Sequence, residues 1–241
     1  MAEFTITIAG DSAFNLEFAR SISPETSALV RAAADTLKAD PAKGMEELVA
    51  TFCSLMVYYD PAVTTFEEIT ESVKGKLRGI VAGDQKAKRI VLIPVCYGGK
   101  YGPDMQTVMQ HSGLSEEDVI KLHSSRDYRI DMLGFLPGFA YLGGLDQRLH
   151  TPRLATPRTT IEAGSVGIGG AQTGIYPLAS PGGWQLIGRS PIKPYDPQRE
   201  EPILYAAGDY MRFVPISESE FASIEAAVAQ GTWTPEITWE D

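Results

Sequence analysis

Residues 164–184 read GSVGIGGAQTGIYPLASPGGW: seven glycines in 21 residues, with no charged side chain. Three structures could use such a stretch: a phosphate cradle, a membrane span, or a tightly turned sheet. A Walker loop needs G-x-x-x-x-G-K-[ST], and this stretch has no lysine. The dinucleotide fingerprint G-x-G-x-x-G fails too, because Gln172 stands where the third glycine belongs. The uncharged run from Ala163 to Gly188 is long enough to span a bilayer. It is broken, however, by Pro177, Pro181, Gln172 and Gln185, and a spanning helix needs about 20 predominantly apolar residues. What remains is a sheet whose glycines allow sharp bends and close packing. A ligand site lined by exposed backbone is compatible with such a sheet.

The surrounding chain extends this pattern. Residues 134–198 hold 12 glycines and eight prolines, and their apolar runs are short: SVGIGG, TGIYPLA and WQLIGRS. Short strands joined by glycine and proline turns predict a closed or nearly closed β-barrel. Before residue 88 there are only five glycines and three prolines. That shift predicts two domains, 1–84 and 85–241, with the boundary in the polar segment 81–89. The first reads as α+β in the order β-β-α-β-β-α. A hairpin turns at Gly10-Asp11. One helix starts at Ser23-Pro24, and a second starts with the Thr65/Glu68 capping box. The second opens with the buried strand RIVLIPVCY, followed by helical patterns in GPDMQTVMQHSG and SEEDVIKLH. It closes with the strand around YMRFVPI and a C-terminal helix capped by Ser217.

Composition removes several functions. The net charge is −10 over 241 residues, which argues against nucleic acid and anionic membrane partners, both of which need a basic surface. Glu3 and Asp11 flank the first apolar run, which has no basic residue before it, so the start does not read as a secretory signal. Cys53 and Cys96 form no C-x-x-C pair, and together these features read as a cytoplasmic protein with reduced thiols. The histidines at 111, 123 and 150 lack metal-ligand spacing, so no protein-bound metal is expected. There is no G-x-S-x-G elbow for a serine nucleophile.

A few polar residues stand out for chemistry. Arg153 and Arg158 each follow a Thr-Pro pair, which fixes the backbone beside each guanidinium. Such a pair suits a carboxylate or phosphate, and equally suits ordinary surface ion pairs. His123 ends a helical pattern, as a charged cap or as a general acid/base. Asp104 is a first-turn helix acid or a functional one. Tyr141, Gln172, Tyr176 and Gln185 lie among glycines and would either line a cleft or pack.

Several stretches carry a joint signature: VCYGGKYGPD, GLSEEDVIKLHSSRDYRIDMLGFLPGFAYLGGLD, TPRLATPR, EAGSVGIGGAQTGIYPLASPGGWQLIGRSP and GDYMRF. Together they resemble the allophanate hydrolase subunit 1 family, also described as carboxyltransferase subdomain C/D. The likeness runs through residues 88–215, and SLMVYYD resembles the family's N-terminal domain. The resemblance implies a cyclophilin-like barrel for residues 85–241. It also implies a subunit of an ATP-dependent enzyme that opens 5-oxoproline to glutamate. Its partners would be an A subunit, together with a C subunit that carries the companion carboxyltransferase half. ATP with magnesium would be shared among them. Other members imply two alternatives: an inhibitor that binds a sporulation-type histidine kinase, and a subunit of urea carboxylase or allophanate hydrolase type. Under the first implication, Arg153 and Arg158 would hold phosphate and carboxylate, with Arg158 in a catalytic role. His123 and Asp104 would move protons. Tyr141, Gln172, Thr173, Tyr176 and Gln185 would bind substrate. Gln172, Thr173 and Gly174 match the family's pattern, whereas Ala171 replaces a polar amide.

Overall fold

A computed structural model describes residues 4–21, 23–81 and 87–240. The chain forms two compact units, residues 1–85 and 86–241. Most of the linker expected at 81–89 lies outside the described residues.

The first unit runs β1 (Thr5–Ile8), β2 (Ala13–Glu17), α1 (Pro24–Ala39), β3 (Met45–Ala50), β4 (Ser54–Tyr59) and α2 (Phe66–Lys76). Its antiparallel sheet has the order β1-β2-β4-β3. Gly10, at φ 79°, turns the first hairpin. The Ser23 hydroxyl accepts from the Thr26 N–H with Pro24 in the first turn of α1, and Thr65 and Glu68 close a reciprocal capping box on α2. Hydrogen bonds to the carboxylate from the Thr65 N–H and then from the Thr65 hydroxyl hold the Glu68 carboxyl below its ordinary pKa. Phe14, Leu16, Leu55 and Val57 from one sheet face pack on Val30, Ala33 and Leu37 of α1 and Ile69 and Val73 of α2.

The second unit begins with β5 (Lys88–Tyr97), α3 (Met105–Ser112), α4 (Glu116–Ser124), β6 (Tyr128–Leu133) and β7 (Ala140–Gly143). The glycine-rich region supplies β8 (Arg158–Ile161), β9 (Ser165–Gly169), β10 (Gln172–Ile175), β11 (Ser180–Gly182) and β12 (Gln185–Arg189). The chain ends with β13 (Tyr210–Pro215), α5 (Glu218–Ala229) and β14 (Ile237–Glu240). One sheet follows the path β10-β9-β12-β5-β13-β6-β7, while β8 and β11 form a separate ribbon. The ends of the path, β7 and β10, lie side by side, so the sheet is a nearly closed barrel. Its interior is filled by Val91, Ile93 and Val95 of β5, Val166 and Ile168 of β9, Ile187 of β12 and Phe213 of β13. β14, which no sequence pattern announced, lies antiparallel on the first half of β5, with Ile237 opposite Val91. Among the described residues no helix is long and apolar enough to cross a membrane.

The glycines of β9 and β10 have a specific use. A Cβ on Gly169 would overlap the Trp184 indole, lying 2.7 Å from its Cγ and closer still to two other ring atoms. A Cβ on Gly174 would sit 3.3 Å from the far edge of the same ring and 3.2 Å from the Ala140 carbonyl across the barrel seam. The bare backbone is therefore a bed on which the indole lies flat against the outside of the barrel.

Candidate active site

Trp184 anchors an aromatic cluster on that outer face. Phe139 sits edge-on to Trp184 and to Tyr176, with ring centroids 5.6 Å apart in both cases, and to Tyr141 at 5.2 Å. Ile161 and Leu186 complete the packing. Trp184 and Tyr176 are each about 95% or more buried. Burial pushes the Tyr176 hydroxyl pKa up, against the pull of the nearby Arg153 and Arg158 charges. Phe135 rests edge-on to Phe139 at 5.4 Å, although the residue is 63% exposed. Its φ of 69° makes it the one positive-φ non-glycine residue among those described, a conformation that is an outlier for a bulky side chain. Sequence reasoning did not single out Phe135, Phe139 or Trp184. The signal was present in the alternation of glycine with large rings in GFLPGF and SPGGW.

The segment 151–158 straps across this cluster. Thr151 bridges to Gly170, the Gln185 amide Nε2 donates to the Pro152 carbonyl at 2.9 Å, and the Leu154 N–H donates to the Gly183 carbonyl at 2.7 Å. These bonds, with the prolines, fix the backbone beneath both arginines. Arg153 is exposed. Its guanidinium lies 5.9 Å from the Trp184 ring centroid and donates to the Gln172 side-chain oxygen at 3.3 Å. Arg158 is engaged more firmly. It donates to Asp104 Oδ1 at 2.7 Å, and the other Asp104 oxygen accepts from the Leu186 N–H at 2.7 Å. Asp104 precedes α3 but makes no side-chain cap bond there. Asp104 and Arg158 are thus one ion pair riveted to β12, with the carboxylate almost fully buried.

The structure therefore gathers Arg153, Arg158, Asp104, Gln172, Tyr141 and Tyr176 around Trp184. It separates three other residues from them. Gln185 and Thr173 are buried, and Gln185 acts on the strap from beneath. His123 is fully buried inside the barrel, with its ring stacked on Phe213 at 4.5 Å. Its Nδ1 lies 2.7 Å from the Tyr97 hydroxyl and its Nε2 lies 2.7 Å from Thr173 Oγ1. Thr173 spends its one proton on the Gly167 carbonyl at 2.9 Å. The hydroxyl must then accept from Nε2–H, which leaves Nδ1 to accept from Tyr97. These bonds satisfy a neutral imidazole completely. Burial lowers the His123 pKa to about 3, with the Arg126 charge adding to the effect. The expected roles for His123, a charged helix cap or an acid/base poised near neutrality, are both corrected. The ring turns inward from the end of α4, where desolvation outweighs the helix dipole. Among the described residues no group of three metal-ligating side chains converges.

The site can hold an anion beside an aromatic surface. It offers one available guanidinium, a second oriented by a carboxylate, and amide and phenol groups around them. The profile of the carboxyltransferase domain, subdomain C and D, matches residues 4–205. The chain is 42% identical over 228 residues to the 5-oxoprolinase B subunit of Bacillus subtilis (strain 168), covering 90% of this chain and 95% of that protein. The crystal structure of TTHA0988 superposes with TM-score 0.75 at 37% identity over 85% of this chain, which spans 40% of that longer chain. The K. lactis urea amidolyase shares the fold, with TM-score 0.80 at 20% identity over 98% of this chain and 16% of its own. The family profile spans both compact units, and so this chain belongs to the carboxyltransferase domain, subdomain C and D, family.

Proposed function

We propose that this chain is the B-type subunit of an ATP-dependent 5-oxoprolinase, working with A-type and C-type subunits to open 5-oxoproline to glutamate. The observation that carries this reading is the 42% identity to a 5-oxoprolinase B subunit across 95% of that protein's length. A lactam is a poor electrophile. Transfer of the ATP γ-phosphoryl group to the lactam oxygen, with release of ADP, converts that oxygen into a leaving group. Water then adds to the carbon. Cleavage of the C–N bond, with a proton going to the departing nitrogen, leaves an acyl phosphate, and a second water displaces its phosphate to yield glutamate.

In this scheme the chain supplies binding and charge. Arg153, braced by the Trp184 face and Gln172, would hold the substrate carboxylate or the transferring phosphoryl group. Asp104 would orient Arg158, whose positive charge would add to that of Arg153. Tyr141 and Tyr176 would border the ring. Asp104 already accepts two hydrogen bonds and His123 stays neutral in the core, so the proton for the departing nitrogen would come from the partner half. ATP and its magnesium would be bound jointly with the partner subunits.

The test is glutamate release from 5-oxoproline with and without ATP, by the chain alone and by the complex with co-expressed A and C subunits. ATP-dependent release by the complex alone is the expected result. A well-folded complex without turnover would refute the reading. So would complexes carrying Arg158→Ala and Gln172→Ala that keep full turnover, as far as the site is concerned.

A further inference from the structure

The turn between β6 and β7 holds a bulky side chain on an unfavourable backbone. The Leu136 N–H donates to the Gly134 carbonyl at 2.9 Å, which closes a γ-turn around Phe135 at φ 69°. A γ-turn of this hand is rare and strained. Every other positive-φ residue among those described is a glycine, and a glycine in this place would relieve the strain. Burial of the side chain does little to offset it, because Phe135 remains 63% exposed.

The rest of the turn is fixed by its surroundings. The Gly134 N–H donates to the Phe139 carbonyl at 3.1 Å, and the Phe139 N–H donates to the Leu136 carbonyl at 3.0 Å. Leu136 packs inward on the aromatic cluster. The Tyr205 hydroxyl donates to the Gly138 carbonyl at 2.7 Å. Phe135 is therefore carried on a rigid mount. A strained conformation that its surroundings enforce, with little gain to the fold, points to a task in function.

The turn adjoins the candidate site. Phe135 is edge-on to Phe139, and Phe139 is edge-on to Tyr141, Tyr176 and Trp184. The turn leads into β7, which lies beside β10, and Gln172 of β10 accepts from Arg153. An exposed ring and an exposed guanidinium thus flank one aromatic cluster. Phe135 lies against Phe139 and Arg153 against Trp184, and the Phe139 and Trp184 centroids are 5.6 Å apart. 5-Oxoproline has two matching parts, a carboxylate and two adjoining ring methylenes.

We propose that Phe135 is a specificity-determining residue whose ring covers the methylene edge of the lactam while Arg153 holds the carboxylate. The inference rests on the 5-oxoprolinase reading above and adds to it the residue that measures ring size. A six-membered lactam acid carries one more methylene at that edge and would meet the fixed ring.

The test uses the complex with A-type and C-type subunits and two substrates, 5-oxoproline and its six-membered homologue, 6-oxopiperidine-2-carboxylate. Phe135→Gly should raise KM for 5-oxoproline about tenfold. It should lower the preference for the five-membered ring, read as the ratio of the two kcat/KM values, by about tenfold or more, the scale on which a pocket senses one methylene. Phe135→Tyr keeps the ring and should recover most of both losses. The urea midpoint of Phe135→Gly should be no lower than that of wild type, because strain is released and little burial is lost. An inactive wild-type complex would refute the 5-oxoprolinase reading, and this inference with it. An active wild-type complex whose ring-size preference Phe135→Gly does not lower would refute the inference alone. A clearly lower urea midpoint would make the ring part of the fold. A variant that needs more A-type and C-type subunit for half-maximal activity, at unchanged KM, would make it a docking contact. Either of these would also overturn the proposal.

Discussion

Gly169→Ala should destabilise the second unit even though the same change in most strands is favourable. Replacing a strand glycine by alanine ordinarily gains about 0.5–1 kcal/mol, mainly by restricting the unfolded chain. At Gly169 the added Cβ would overlap the indole and stand 2.7 Å from Trp184 Cγ. Carbon atoms in contact settle about 3.5–4.0 Å apart, so the ring must retreat by roughly 1 Å. Phe139 and Tyr176, edge-on to the same ring, stand in its way. Overpacking of this kind costs about 1–3 kcal/mol, for a net loss of up to about 2.5 kcal/mol. In a Trp184→Leu background the clash is gone and the sign should reverse, with Gly169→Ala now stabilising by about 0.5 kcal/mol. Urea unfolding followed by tryptophan fluorescence reports on the second unit alone, because Trp184, Trp233 and Trp239 all lie there. The last two remain in the double variant. If Gly169→Ala stabilises the otherwise native chain, or costs the same with and without Trp184, the glycine bed is not what holds the indole.

Two further predictions concern charge. The folded pKa of His123, about 3, lies below its unfolded value near 6.5. Between those values the unfolded chain binds the extra proton, so stability is complete above pH about 6.5 and falls by about 1.4 kcal/mol per unit as the pH drops toward 3. His123→Gln should remove that slope, so the difference in unfolding free energy between wild type and variant should change across the window; a difference that stays constant with pH would refute the neutral assignment. Arg153 and Arg158 should behave differently when each is replaced by alanine. Arg153→Ala should cost under about 1 kcal/mol in stability, as exposed pairs do, while lowering turnover of the complex about tenfold or more through loss of a charge-assisted contact. Arg158→Ala should lower both, because it strands the buried Asp104 carboxylate, at about 1–3 kcal/mol. Equal stability losses for the two variants, read from urea midpoints, would contradict the division drawn between them.

Local signals were legible where they are local in physics. Ser23-Pro24, Thr65/Glu68 and Ser217 each mark a helix start because a cap spans only three residues, and all three act as caps. The short strands β9, β10 and β12 follow the apolar runs between glycines. β14 left no mark, since a four-residue strand after Pro235 is defined by its pairing with β5 and not by its own pattern. The site divides the same way. Two arginines beside prolines could be read as pre-oriented cations, but that one of them spends its charge on Asp104, 54 positions away, is a fact of tertiary packing. The helical spacing around His123 gave its position on α4 and could not say that the end of the helix turns into the core. The glycine stretch reads as a bent sheet, yet its most specific task, clearing space for Trp184, depends on an indole ten to 15 residues further along the chain from the glycines beneath it.

The position of β5 has a consequence for how the second unit is made. It is the first strand of that unit to be synthesised, yet its neighbours come late: Gly188 pairs with Tyr97, Tyr210 with Ile90 and Ile237 with Val91. Because contacts this distant in sequence slow folding, a ten-residue apolar strand must wait, unpaired, while most of the barrel emerges from the ribosome. During synthesis the nascent chain thus carries an exposed, sticky segment until β12, β13 and β14 emerge to cover it. The first unit, whose strands pair with near neighbours, has no such delay and can fold while the second is still being translated.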